Sequence, residues 1–192
     1  MSSALLLIDI QNDYFPGGRM ELEGSVEAAE KAAVVLTQFR DRGLPVFHVR
    51  HESLQKGATF FLPGTDGADI HSIVFPLAGE VVITKHYPNS FRETDLLARL
   101  EAAGITRLVV AGMMTHMCVD AGVRAATDYG FACAVLSDAT ATRALEFHGQ
   151  VLSAAQVHGS FLAALGMAYA KVIPSADVSS WLQAGSLRQV RG

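Results

Sequence analysis

Three residues of different chemistry each stand at or just past the end of an apolar run. Asp9 sits near the end of "ALLLIDI" (residues 4–10), Lys85 closes "EVVITK" (80–85), and Cys118 follows "RLVVAG" (107–112). A carboxylate, an amine and a thiol brought to one point could carry out nucleophilic acyl transfer. The thiolate is the reactive form, and a nearby cation or a helix N-terminus lowers the thiol pKa. The residues after Cys118, "VDAGVRAATDYG", read as a helix, so Cys118 has a predicted helix N-terminus and Lys85 supplies the cation. Asp9 then takes the thiol proton and returns it to a leaving group.

Taken singly, each residue has a plainer reading. Cysteine is among the most buried residue types and ordinarily packs; Cys133, inside "FACAVLSDA", keeps that reading. Asp9 precedes "QNDY", which is good turn chemistry, so Asn12, Asp13 and, further on, Asp138 read as structural turn formers. Lys85 alone is a solvated strand end. The coincidence of all three at strand ends favours catalysis.

The elements that must position them alternate. "ALLLIDI" is a continuous apolar run, the mark of a parallel strand buried on both faces. "VEAAEKAAVVLTQFRDRG" carries Val26, Ala29, Ala33, Leu36 and Phe39 at helical spacing and stops at Gly43. "LPVFHV" (44–49) is a second strand. An irregular segment, residues 51–80, follows, and connections of that length are often functional. "EVVITK" is a third strand, "TDLLARLEAAG" a helix capped by Thr94 and ended by Gly104, and "RLVVAG" a fourth strand. After the helix beyond Cys118 come "FACAVLSDA" as a fifth strand and "GQVLSAAQVHGSFLAALG" as a long helix. "AYAKVI" is a sixth strand and "SADVSSWL" a last helix. This order predicts parallel βαβ units in a doubly wound α/β sheet, with ligands beyond the C-terminal strand ends.

Composition narrows the field. The 192 residues fit one domain over 1–192, half of them hydrophobic, with a net charge of −4. That charge argues against a nucleic-acid partner. Two cysteines make no disulfide framework, and the N-terminal apolar run is too short for a signal or a membrane span. A cytoplasmic location is therefore expected, with no membrane partner. "DIQNDYFPGG" is not a phosphate-cradling glycine loop, so nucleotide binding is set aside.

Five pieces together resemble the isochorismatase-like cysteine hydrolases, a superfamily that includes nicotinamidases and N-carbamoylsarcosine amidohydrolase. They are "LLLIDIQNDYF", "ITKHYPNSFRETDL", "LVVAGMMTHMCVDAGVRAATDYGF", "SDATATRALEFHG" and "VHGSFLAAL". The resemblance implies a three-layer αβα, Rossmann-like fold whose six-stranded parallel sheet has the order 3-2-1-4-5-6. It implies a catalytic Asp9, Lys85 and Cys118, a cis peptide between Met113 and Met114, and an oxyanion hole from the N–H groups of Met114 and Cys118. The activity implied is hydrolysis of a C–N bond in a small amide or ureido compound through a covalent acyl-enzyme. The alternatives are an isochorismatase-type vinyl-ether hydrolase, whose members lack the cysteine, and a catalytically silent binding module.

Tyr14 is either the aromatic pocket wall of the family or a core aromatic. Phe60 and Phe61 line a substrate pocket or pack at an interface, and Tyr87 and His116 contact substrate or cover the crevice. His148 and His158 read as surface or packing residues. Asp69-x-His71 has a metal-binding spacing but lacks neighbouring histidines, so no metal and no other cofactor is expected. Phe60, Phe61, Leu62, Ile73 and Phe75 would form a large apolar patch on a monomer. Together with the family habit, that predicts a homodimer or larger homo-oligomer, built on this segment or on a helix over residues 150–165.

Overall fold

In the computed structural model, which describes residues 2–187, the N-terminal apolar run becomes β1 (Ser2–Ile8), fully buried beyond its first residue. Its alternation divides the core in two. Leu5 and Leu7 pack with α1 (Ser25–Asp41), while Ala4, Leu6 and Ile8 face the opposite layer. Both faces are covered, which is why the run shows no polar alternation.

The chain continues through β2 (Val46–His51), β3 (Val81–Lys85), α2 (Leu96–Ala102), β4 (Ile105–Met113), α3 (Asp120–Asp128) and β5 (Ala132–Ala141). A short antiparallel hairpin follows, β6 (Leu145–Phe147) and β7 (Gln150–Leu152), then α4 (Ala154–Ala168), β8 (Ala170–Ile173) and α5 (Val178–Leu187). The main sheet has the order β3-β2-β1-β4-β5-β8 and is parallel throughout. This is the expected 3-2-1-4-5-6 sheet, with the hairpin shifting the number of its last strand. α1 and α5 cover one face, and α2, α3 and α4 cover the other. The connection from β3 passes to the far side of β1, so the strand order switches between β1 and β4.

Several local expectations shift. The buried stripe of α1 is Ala28, Ala29, Ala32, Val35, Leu36 and Phe39, with Val26 exposed and Ala33 half-buried. Two neighbouring stripes satisfy helical spacing there, and the one that joins the core with β1, β4 and β5 is the buried one. The long helix starts at Ala154, not at residue 149 or 150, because Ser153 and Gln156 form a reciprocal capping box. The residues before it turn at His148 and Gly149, both with positive φ, which is the geometry of a two-residue hairpin loop. Thr94 does not cap α2 as its first flanking residue; Asp95 holds that place, and Thr94 Oγ1 accepts from Leu96 N–H.

The segment 51–80 folds back over its own body. Phe61 is buried, Phe60, Leu62 and Ile73 are half-buried, and Phe75 alone of the five stays exposed. The five residues therefore form no common exposed patch, and the large apolar side chains of the segment that stay exposed are Leu54, Phe75 and Leu77. Gln11 anchors the segment by donating to the carbonyls of His51 and Ala68 and accepting from His51 N–H. Asp13 accepts from Phe61 N–H, and Asn12 donates to Asp66 O. Asn12 and Asp13 are thus fasteners of the long loop, whereas Asp138 is no turn former: it lies in β5 and accepts from the N–H and hydroxyl of Ser175. No helix among the described residues is long and apolar enough to cross a membrane.

Candidate active site

Strand order decides which side chains meet. Reading across the C-terminal edge, β3 ends in Lys85, β2 in His51, β1 runs into Asp9, and β4 leads into the π-helical turn Thr115–Val119 that holds Cys118. Four neighbouring strand ends thus deliver an amine, an imidazole, a carboxylate and a thiol. Close packing of β4 on β1 helps: Gly112 has φ +135°, and a Cβ there would lie 1.9 Å from Ile8 O. Asp9 itself has φ +51°. A non-glycine residue in this region is uncommon and concentrates at functional sites. The Met113–Met114 peptide is cis.

Lys85 Nζ has three N–H donors and three acceptors: Asp9 Oδ2 at 2.7 Å, His51 Nδ1 at 3.1 Å and the Tyr87 carbonyl at 3.1 Å. Burial disfavours its ammonium, yet the facing Asp9 carboxylate outweighs burial and raises its pKa. Lys85 is a standing cation. His51 is pushed down to about 4, first by burial and then by the Lys85 ammonium, so it is a neutral acceptor at neutral pH. Asp9 Oδ1 is buried and has no hydrogen-bond partner among the described residues.

The thiol departs from expectation. Its pKa is raised, not lowered: burial acts first, the Asp9 carboxylate adds to it, and Lys85 only partly opposes. The predicted helix N-terminus and cation do not prevail, because Lys85 is already neutralised by Asp9. Cys118 rests as a thiol beside a carboxylate with a free oxygen. Cys133 is buried in β5, where its Sγ lies 3.8 Å from Phe131 O.

Above Cys118 lies a cavity of about 310 Å³. Tyr14, Phe60, Phe61 and Tyr87 all line it, and Tyr14 and Phe61 meet edge to face at 4.6 Å between ring centres. Met114 and Met117 supply further apolar wall, and His51, Ser53, Gln55 and His86 supply polar groups. His116 is not part of the lining. Its Nδ1 is hydrogen-bonded to Thr142 Oγ1 and its ring packs on Phe161, because it points from the turn toward β5 and α4. His158 is likewise structural, accepting from Thr115 Oγ1 and donating to Ser137 O. His51, Ser53, Gln55, His86, Pro88 and Met117 line the cavity without having been expected from the sequence. The strand-end rule that found Asp9 and Lys85 would have found His51 had β2 been carried to its last residue.

Among the described residues, Asp9, His51 and Cys118 bring potential metal-ligand atoms within 4.8 Å of one another. Two of these ligand groups, Asp9 and His51, already accept from the Lys85 ammonium, whose charge would repel a cation at the same point. The set therefore fits a buried ion pair better than a metal. Asp69 and His71 do not converge: the Asp69 side chain is exposed, and His71 stacks on Phe15 at 3.7 Å.

Residues 3–165 match the isochorismatase domain family. The isochorismatase family protein YddQ of Bacillus subtilis is 51% identical over 172 residues, covering 90% of this chain and 96% of that protein. The crystal structure of an isochorismatase hydrolase from Oleispira antarctica has a TM-score of 0.89 at 53% identity, covering 92% of this chain and 95% of that one. The maleamate amidohydrolase of Pseudomonas putida is 32% identical over 159 residues, covering 76% of this chain and 75% of its own. A fold, a strand-end site and a sequence match over most of the length agree: the chain belongs to the isochorismatase family of hydrolases.

Proposed function

We propose that this protein is a cysteine hydrolase that cleaves a C–N bond of a small amide or ureido compound through a covalent acyl-enzyme. The observation that carries the reading is the meeting of the Cys118 thiol with the buried Asp9–Lys85 pair at the floor of a cavity. The amidohydrolase among the relatives supports the same chemistry.

In this mechanism Cys118 Sγ attacks the carbonyl carbon while its proton passes to Asp9. The N–H groups of Met114 and Cys118 hold the oxyanion, a term worth about 3–4 kcal/mol per donor in comparable sites. As the C–N bond breaks, Asp9 delivers the proton to the leaving nitrogen. Water then attacks the thioester, gives a proton to Asp9, and the acid product leaves as the proton returns to sulfur. Lys85 keeps Asp9 in place and ionised when no proton is in transit. His51, facing Lys85 Nζ, positions the ammonium.

The test is trapping. Mass spectrometry after quenched turnover of small amides and ureido compounds should find an acyl adduct on Cys118. Turnover with no adduct at any quench time, and near-normal turnover by Cys118→Ala, would reject the covalent path.

A homodimer or larger assembly is also proposed, on a surface other than the long loop. Phe147 and Val151 on the β6–β7 hairpin are 66% and 67% exposed, and Met167 at the end of α4 is 88% exposed. Light scattering at micromolar concentration that shows only monomer would reject it.

A further inference from the structure

We propose that the cavity over Cys118 selects an uncharged carboxamide and that the Ser53 hydroxyl holds the substrate's polar end, an inference that rests on the cysteine-hydrolase reading above.

The first ground is charge. Asp9 and Lys85 cancel, and the three Lys85 N–H donors are taken by Asp9, His51 and the Tyr87 carbonyl. No Lys or Arg side chain is among the described residues that line the cavity. The nearby arginines hold other contacts: Arg92 lies 3.6 Å over the ring of Tyr87, behind that lining residue, and Arg50 pairs with Glu52. His51 is neutral at neutral pH. A carboxylate entering this space would lose water and meet no Lys or Arg on the wall, where the remaining imidazole, His86, has its Nδ1 hydrogen-bonded to Glu52 O; burying an unpaired charge is among the costlier events in a protein interior.

The second ground is a vacancy in hydrogen bonding. Ser53 is 4% exposed, and its N–H donates to Phe61 O at 2.9 Å. Its Oγ has no partner among the described residues, yet the residue lines the cavity. Buried polar atoms are nearly always paired, so an orphan on a cavity wall calls for a partner from the ligand. A hydroxyl both donates and accepts, which suits an amide, a ureido group or a hydroxyl equally and requires no charge. The rest of the wall, from Phe60, Tyr87, Met114 and Met117, offers ring faces and deformable thioethers to an apolar body. The volume, about 310 Å³, stands at the small end of ligand cavities.

The test uses alkylation, which needs no turnover. Cys118 of the intact protein is treated with iodoacetamide or with iodoacetate, and labelling is followed by peptide mass mapping. In each case the sulfur displaces iodide, a C–S bond forms, and the thiol proton leaves. Both rates are divided by the rate for free cysteine at the same pH. The normalised rate should favour iodoacetamide by about tenfold or more, the factor expected for a difference of about 1.4 kcal/mol. A ratio near one, or a preference for iodoacetate, overturns the uncharged cavity while leaving the covalent reading intact. Failure of both reagents to label Cys118 sinks the cysteine-hydrolase reading instead.

A second arm addresses Ser53. Benzamide, isobutyramide and propionamide should protect Cys118 from iodoacetamide, and the matching carboxylates should not. Ser53→Ala should weaken amide protection about tenfold, the size of one hydrogen bond, with Ser53→Thr restoring part of it. Unchanged protection in Ser53→Ala, in a protein whose thermal unfolding is also unchanged, overturns the role given to Ser53.

Discussion

Lys85 Nζ lies 2.7 Å from Asp9 Oδ2, and neither side chain is exposed to solvent. A buried ion pair of this kind is weak evidence for stability, but removing one partner leaves an unpaired charge at a cost of about 3–5 kcal/mol. Lys85→Met should therefore destabilise by about that much in urea denaturation and should abolish turnover. The double change Asp9→Asn with Lys85→Met should regain part of the stability and none of the activity. Equal stability of the single and double variants would show that the two charges do not depend on each other.

Cys118→Ala should separate chemistry from packing. The side chain is small and lies on a cavity, so the stability change should stay within about 1–2 kcal/mol. Turnover should fall by several orders of magnitude, because groups that act as a unit fail together. Cys133→Ala is the control. It removes a buried sulfur from β5 and should cost about 1 kcal/mol with turnover retained. Loss of turnover in the control would mean that the core of β5 sets the site geometry.

His51 ties stability to pH. Its folded-state pKa is about 4, against about 6.5 for an unfolded histidine. Between those values the unfolded chain binds more protons than the folded one, so stability falls as pH drops from about 6.5 toward 4. At about 1.4 kcal/mol per pKa unit, the loss from this residue is at most about 3 kcal/mol. His48, His71 and His116 are also lowered and act in the same direction. A comparison with His51→Asn isolates the one residue, since the amide oxygen can still accept from Lys85. The variant's stability should fall less steeply across this range; parallel curves would refute the assignment.

Glu80 should affect stability without affecting chemistry. It stands at the opposite end of the sheet from Lys85, just before β3, and accepts from Arg40 at 2.7 and 2.8 Å, from Leu77 N–H at 2.8 Å and from His48 Nε2 at 2.9 Å. Burial would raise its pKa, but these donors override burial and hold it at about 2. Its contribution is therefore present above the usual carboxylate range and lost as pH falls through about 2. Glu80→Gln should cost about 1–3 kcal/mol with kcat unchanged. A large fall in kcat would show that the loop it pins reaches the cavity.

Much of this site was legible along the chain, and the misses share a cause. Asp9 and Lys85 announced themselves because a charged residue that ends a buried apolar strand needs an opposite charge beside it, and the strand ends are where one can be supplied. His51 obeys the same rule, but "FHVRH" mixes apolar and basic residues, so the end of β2 could be placed two residues early. The long loop read as an exposed apolar patch because Phe60, Phe61 and Ile73 are hydrophobic. Its burial depends on Gln11 and Asp13, which lie 40 and 48 positions away from their partners His51 and Phe61.

The sequence by itself determined the alternation of strands and helices, the double burial of β1 and the identities of the groups at the strand ends. Each of these follows from local periodicity and from the cost of placing a charge inside a sheet. Only the tertiary structure decided that β2 brings His51 against the Lys85 ammonium, that His116 turns away from the cavity, and that the Cys118 thiol is held protonated. Those outcomes depend on which strands are neighbours, how deeply each group is buried and which charge faces which. Such quantities are set by contacts between distant segments, and no window of local sequence contains them.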